Sequence, residues 1–201
     1  MALKHSYRLI APVYDRAVAG VLARARRTSL AGIPQTGRLT ILIDGIGTGL
    51  DLPHLPTCHR YIGSDLVGAM LNRARPRSAG LDCALVRGDS MALPFAPDCF
   101  DIVVLHLIVA VVANPAAALA EAARVTRPGG RLLVMDKFLQ PGRSAPLRRL
   151  LSPLVARVAT RLDVVFEEAL AQVSCLRKTD DRPLLASGWF RSIILEKQSG
   201  R

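Results

Sequence analysis

Lysine is scarce in this chain. Lys4, Lys137, Lys178 and Lys197 are the only ones among 201 residues, yet the formal net charge is +11, so arginine carries almost all of the positive charge. Cysteine is sparse too: Cys58, Cys83, Cys99 and Cys175 show no C-x-x-C spacing, which excludes a zinc site or a disulfide framework as an organising feature. No metal site is expected, and a reducing, cytoplasmic compartment is. A long apolar run is also missing. The best stretch, Ile102 to Ala113, is interrupted by His106 and falls short of the ~20 residues a spanning helix needs. The amino terminus lacks the apolar core and small-residue cleavage site of a secretory signal, and there is neither an internal repeat nor a low-complexity tail.

What is present is globular. Hydrophobic residues make up 50% and charged residues 21%, and the length suits a single domain. The positive charge has two readings that stand side by side: attraction to an anionic membrane, nucleic acid or acidic substrate, or an arginine-rich composition without a partner.

Taken in order, residues 1–31 read as a helical segment that either folds over a ligand as a lid or is stapled onto the core by its two tyrosines. Tyr7 and Tyr14 flank Pro12, and a helix follows in which Arg24, Arg26 and Arg27 back an apolar face of Val18, Val21, Leu22, Ala25 and Leu30. Residues 38–138 read as alternating strands and helices. Strands are predicted at Ile41 to Asp44, Arg60 to Ser64, Cys83 to Arg87, Phe100 to His106 and Arg131 to Met135, with helices over Leu66 to Ala74 and Pro115 to Val125. Asn114 is the expected N-cap of the last helix, with Pro115 at its first position. Residues 139–201 carry a basic amphipathic helix over Leu147 to Arg161, a helical stretch from Val164 to Val173 and a closing hairpin over Leu184 to Glu196.

The chemistry centres on Asp44-Gly45-Ile46-Gly47-Thr48-Gly49, directly after an aliphatic strand. A dinucleotide fingerprint wants glycine or alanine at the sixth position, where Leu50 stands; a triphosphate loop needs Gly-Lys-Ser/Thr, and no lysine follows. S-adenosylmethionine fits better, because it offers an ammonium, a carboxylate and two ribose hydroxyls rather than phosphates. Backbone N–H groups around Gly45, Gly47 and Gly49 answer the carboxylate, Asp44 the ammonium, and Asp65, about twenty residues on, the ribose. Asp89 is placed to accept from the adenine amino group, with Ser90 and Met91 beside it and Leu66 following the ribose acid.

These segments, with Gly88 to Phe95, Phe100 to Val103 and Arg124 to Leu132, resemble the ordered motifs of class I S-adenosylmethionine-dependent methyltransferases. The resemblance covers roughly residues 7 to 138 and implies an α/β, Rossmann-like, seven-stranded sheet, mostly parallel with an antiparallel last strand and helices on both faces. Within the family the likeness is to the ubiquinone/menaquinone C-methyltransferase and bacterial phosphatidylethanolamine N-methyltransferase group. The opening Tyr7 to Asp15 is similar to that group's, which implies that Tyr14 lies near the cofactor, while Met91 to Phe95 and Val111 to Pro115 resemble the phospholipid branch.

His106, ending a strand at the edge where α/β ligands bind, is the candidate base and a candidate cofactor contact; its other reading is a hydrogen-bonded histidine in a buried turn. Tyr14 is the second catalytic candidate, and Tyr7, Tyr14 and Lys137 are candidates for the acceptor. Asp136 either meets a head group or caps a turn. The expected activity is N-methylation of phosphatidylethanolamine or a similar amine, with peripheral contact to the anionic inner face of a membrane. Carbon or oxygen methylation of a quinol, phenol or other small metabolite is the alternative, and a non-catalytic cofactor-binding module is the alternative of another class. A nucleic-acid substrate is disfavoured, because His106-Leu107-Ile108-Val109 stands where Asn/Asp-Pro-Pro-Tyr/Phe would be and no Pro-Cys nucleophile exists.

Overall fold

The computed structural model describes residues 22–139, 164–185 and 188–199. Residues 1–21 of the expected lid, Tyr7 and Tyr14 among them, and the basic stretch over Leu147 to Arg161 lie outside the described residues. Within them runs one seven-stranded sheet: β1 (Thr40–Asp44), β2 (Arg60–Asp65), β3 (Asp82–Arg87), β4 (Phe100–His106), β5 (Thr126–Lys137), β6 (Leu176–Leu185) and β7 (Phe190–Lys197). Its order is β3-β2-β1-β4-β5-β7-β6. β1 to β5 are mutually parallel, and β7 inserts antiparallel between β5 and β6. The chain thus reverses direction on either side of β1, which opens a crevice beyond the carboxyl ends of β1 and β4, the place where open α/β sheets bind ligands.

The strands form because their side chains suit a sheet covered on both faces. Leu42, Val103, Leu105, Leu132, Val134, Ile193 and Leu195 point to one side, where α3 (Pro115–Val125) and α4 (Phe166–Leu170) cover them. Ile41, Ile43, Ile102, Val104 and Leu133 point to the other, against α1 (residues 22–30), the 3-10 turn Leu52–His54 and α2 (Gly68–Ala74). A buried parallel strand needs apolar residues at every position rather than every second one, and β4 reads Phe-Asp-Ile-Val-Val-Leu-His accordingly. α3 begins as its sequence dictates. The Asn114 side chain accepts from the Ala117 N–H at 3.1 Å, and Pro115 fills the first position, where no N–H is needed.

Three local expectations change. The predicted helix after Val164 shrinks to Phe166–Leu170. The turn Arg127 to Gly130 is drawn into β5, whose pairing with β4 starts at Thr126, skips, and resumes at Arg131. The closing hairpin begins earlier than Leu184, since β6 starts at Leu176 through a charged stretch. Arg26 also departs from its reading as part of a basic outer face: it is buried, while Arg24 and Arg27 are exposed.

Candidate active site

Asp44 closes β1 and is 1% exposed. Ser64, its register partner on β2, donates to Oδ1 at 2.7 Å, and Oδ2 has no hydrogen-bond partner among the described residues. Burial pushes the Asp44 carboxyl up to about 6, against the opposing Ser64 bond. A buried carboxylate oxygen without a donor is costly, and it marks a place where a ligand group can settle.

The glycine loop next to it owes its shape to left-handed backbone. Gly49 has φ +81°, and a Cβ there would stand 2.9 Å from Leu52 and 3.1 Å from Ala74. Gly47 has φ +56°, but a Cβ there would meet nothing nearer than the Gly45 carbonyl oxygen at 4.0 Å. The one glycine permits packing behind the loop, and the other leaves room in front of it. The loop's donors are partly committed inside the protein: Ile46 N–H bonds Ser64 O at 2.9 Å, Gly49 N–H bonds Ile46 O at 3.0 Å, and Gly47 N–H bonds Asp65 Oδ2 at 2.9 Å.

Asp65 ends β2 and is half-buried, with its carboxyl raised by burial. Oδ1 accepts from the Val67 N–H at 2.8 Å, so each oxygen carries one internal bond and keeps a lone pair. Leu66, the next residue, is a large apolar side chain left 46% exposed at the sheet's carboxyl edge. Just past β3, the neighbour of β2, Asp89 Oδ1 accepts from the Met91 N–H at 2.9 Å in a tight turn, with Ser90 buried and Met91 half-buried. Asp44, Asp65, Asp89 and the glycine loop thus follow the carboxyl ends of three adjacent strands.

His106 lies differently from the open position expected of a base. It is 4% exposed; Nδ1 is 2.9 Å from Asp51 Oδ1, and Nε2 is 3.0 Å from Ser29 Oγ. Arg26 Nη1 donates to the same Asp51 oxygen at 2.8 Å. Burial alone would push Asp51 up, but His106 and Arg26 more than offset it and hold the carboxyl well below the usual range. Asp51, Arg26 and Ser29 had no motif to announce them, and only Asp51's place two residues after Gly49 was available as a signal.

Leu107, the next residue, has φ +59° and donates its N–H to Met135 O at 2.8 Å, a turn that no glycine or asparagine in the sequence foretold. Asp136 takes the turn-capping role: Oδ2 accepts from Ala110 N–H at 2.9 Å and Oδ1 from Lys137 N–H at 2.8 Å, with burial raising its carboxyl to about 6. Lys137 is half-buried beside it, and desolvation lowers its ammonium against the pull of Asp136.

Comparisons with known proteins bear on this arrangement. Residues 43–134 match a protein family described as a methyltransferase domain, a span that holds the three acids and the glycine loop. The chain carries an S-adenosylmethionine-dependent methyltransferase domain. Over 98% of its length, and 98% of the other's, it is 28% identical to a phosphatidylethanolamine N-methyltransferase of Cereibacter sphaeroides. A ubiquinone/menaquinone biosynthesis C-methyltransferase of Roseobacter denitrificans is 43% identical over 76 residues, 36% of this chain and 30% of that protein. Among solved structures, an S-adenosylmethionine-dependent methyltransferase of Mesorhizobium loti superposes with a TM-score of 0.66 at 19% identity, covering 85% of this chain and 96% of the other.

The methyltransferase's residues fit that cofactor. An unsatisfied buried carboxylate oxygen suits an ammonium, a half-buried carboxylate with spare lone pairs suits vicinal hydroxyls, and the space before Gly47 admits close approach.

Proposed function

We propose that this methyltransferase N-methylates phosphatidylethanolamine or a similar amine presented at a membrane surface. The observation that carries the reading is the end-to-end likeness to a phosphatidylethanolamine N-methyltransferase, over 98% of both chains. A 76-residue match cannot include both the amino-terminal segment and the carboxyl-terminal third, which in this reading help to build the acceptor pocket. The net charge of +11 adds attraction to an anionic bilayer.

When bound, S-adenosylmethionine supplies an electrophilic methyl group on a good leaving group. Asp44 would take the ammonium, Asp65 the ribose hydroxyls and Asp89 the adenine amino group. Leu66, Ser90 and Met91 would contribute to the adenine site, and Gly45, Gly47 and Gly49 would let the backbone come close. A protonated amine cannot attack, so its proton must leave before transfer. Both ring nitrogens of His106 have partners inside the protein, which favours Tyr14 for moving that proton. Lys137 meets the phosphate of the head group, and Tyr7 lines the acceptor's approach. Alignment and exclusion of water do the remaining work.

A second reading, carbon methylation of a polyprenylated quinol, is favoured by the 43% identity to the C-methyltransferase over the shorter span. Incubation with methyl-labelled S-adenosylmethionine and vesicles containing phosphatidylethanolamine is expected to put label into a monomethylated lipid. Turnover of a water-soluble amine with no labelled lipid would contradict the membrane reading.

A further inference from the structure

Asp51 occupies the N-cap position of the turn Leu52–His54, yet its side chain makes no cap bond there. Its carboxylate crosses instead to Arg26 of α1 and His106 at the end of β4. The histidine ring completes the span by meeting Ser29, also on α1, at 3.0 Å. All four side chains are buried, in two chemically distinct bridges: an ion pair from Arg26 to Asp51, and a relay from Ser29 through His106 to the same carboxylate. An ionised Asp51 can only accept, so Nδ1 carries the proton in that bond, and Nε2 faces the Ser29 hydroxyl. The loop that begins at Asp44 and passes through Gly47 and Gly49 therefore runs directly into a residue clamped to α1.

We propose that Asp51 and His106 form a positioning pair that couples cofactor occupancy of the glycine loop to the seating of α1. His106 then acts through Asp51 and touches neither cofactor nor acceptor. The reasoning rests on the cofactor reading above and is independent of the acceptor. Whatever immobilises the loop also fixes Asp51, and a fixed Asp51 holds both Arg26 and the His106–Ser29 relay. A buried polar network has few alternative arrangements, because each lost bond leaves a desolvated group, so motion at one end is felt at the other.

The test uses the full chain with S-adenosylmethionine and S-adenosylhomocysteine as probes, reading affinity by calorimetry and amide hydrogen exchange over residues 22–30. In the wild type, saturating either probe is expected to slow exchange across α1. His106→Asn keeps a donor near the Nδ1 position and is expected to retain that slowing, with affinity within roughly threefold of wild type. His106→Leu removes both bonds of the relay and leaves only the Arg26–Asp51 ion pair, and is expected to lose most of the slowing and about tenfold in affinity, the equivalent of ~1.4 kcal/mol. Ser29→Ala cuts only the outer bond, leaves the His106–Asp51 and Arg26–Asp51 bonds in place, and is expected to diminish the slowing. Unchanged slowing in Ser29→Ala, or probe binding without any effect on residues 22–30 in the wild type, would overturn the proposal. Failure of the wild type to bind either probe would instead overturn the cofactor reading on which it stands.

Discussion

Gly47 separates a structural from a functional reading of the loop. Its φ of +56° costs a side chain of order 1–2 kcal/mol, while a Cβ meets nothing closer than 4.0 Å. Gly47→Ala is therefore expected to lower folding stability by about that amount in denaturant melts and to weaken S-adenosylmethionine binding by more, because the methyl group enters the space a ligand needs. Equal affinity in the variant would place the cofactor elsewhere. Asp44 gives a pH signature. Burial lifts it from 3.8 to about 6, so the folded state holds the proton more tightly than the unfolded chain. Ionisation consequently erodes stability as pH rises across that window. An ammonium ligand prefers the ionised form and, as an α-amino group, stays charged to about pH 7.7. Affinity should rise between pH 5 and pH 7, and Asp44→Asn should flatten the rise; calorimetry at several pH values measures both. Asp44, Asp65 and Asp89 were legible as candidates because each stands at or just past the end of a predicted strand. The direction of the His106 ring was not, since it depends on Asp51 and Ser29, which lie 55 and 77 positions away in sequence. Arg26 was misassigned for a related reason. A buried ion pair has no local signature, and an arginine among apolar residues reads as surface until its partner is seen.

Among the elements, β4 and α3 match their predicted spans, Phe100–His106 and Pro115–Val125. Both carry strong local signals: the β-branched run Ile102, Val103 and Val104 in the strand, and an asparagine–proline pair at the helix start. Asn114→Ala removes the bond to Ala117 N–H and is expected to cost about 1 kcal/mol of stability, read as a lower denaturant midpoint with unchanged slope. A shift within error would mean that packing alone holds the end of α3. β6 was missed over most of its length because it is an edge strand. Arg177, Lys178, Asp180, Asp181, Arg182 and Pro183 fill it, a composition that discourages further strand pairing and also hides the strand from a hydrophobic pattern. Its inner charges are paired. Arg191 on β7 joins Asp181 to Glu167 of α4, so the hairpin and the helix that returns to it are tied by one guanidinium.

At the scale of the molecule, the sheet order and the β7 reversal place every candidate cofactor residue along one edge. The resemblance to a family carried that much, because five motifs in fixed order imply a topology that periodicity alone does not. The acceptor was less legible, since its contacts are expected from the segments that flank the core and from no single motif. No helix among the described residues is long and apolar enough to cross a membrane. The two readings of the function thus part at the identity of the methylated atom. Vesicles carrying both phosphatidylethanolamine and a polyprenylated quinol, supplied with methyl-labelled S-adenosylmethionine and analysed by mass spectrometry, test it most directly. Label is expected on the lipid amine nitrogen and none on the quinol ring; label on a ring carbon, with the lipid unmodified, would rule out N-methylation of the lipid.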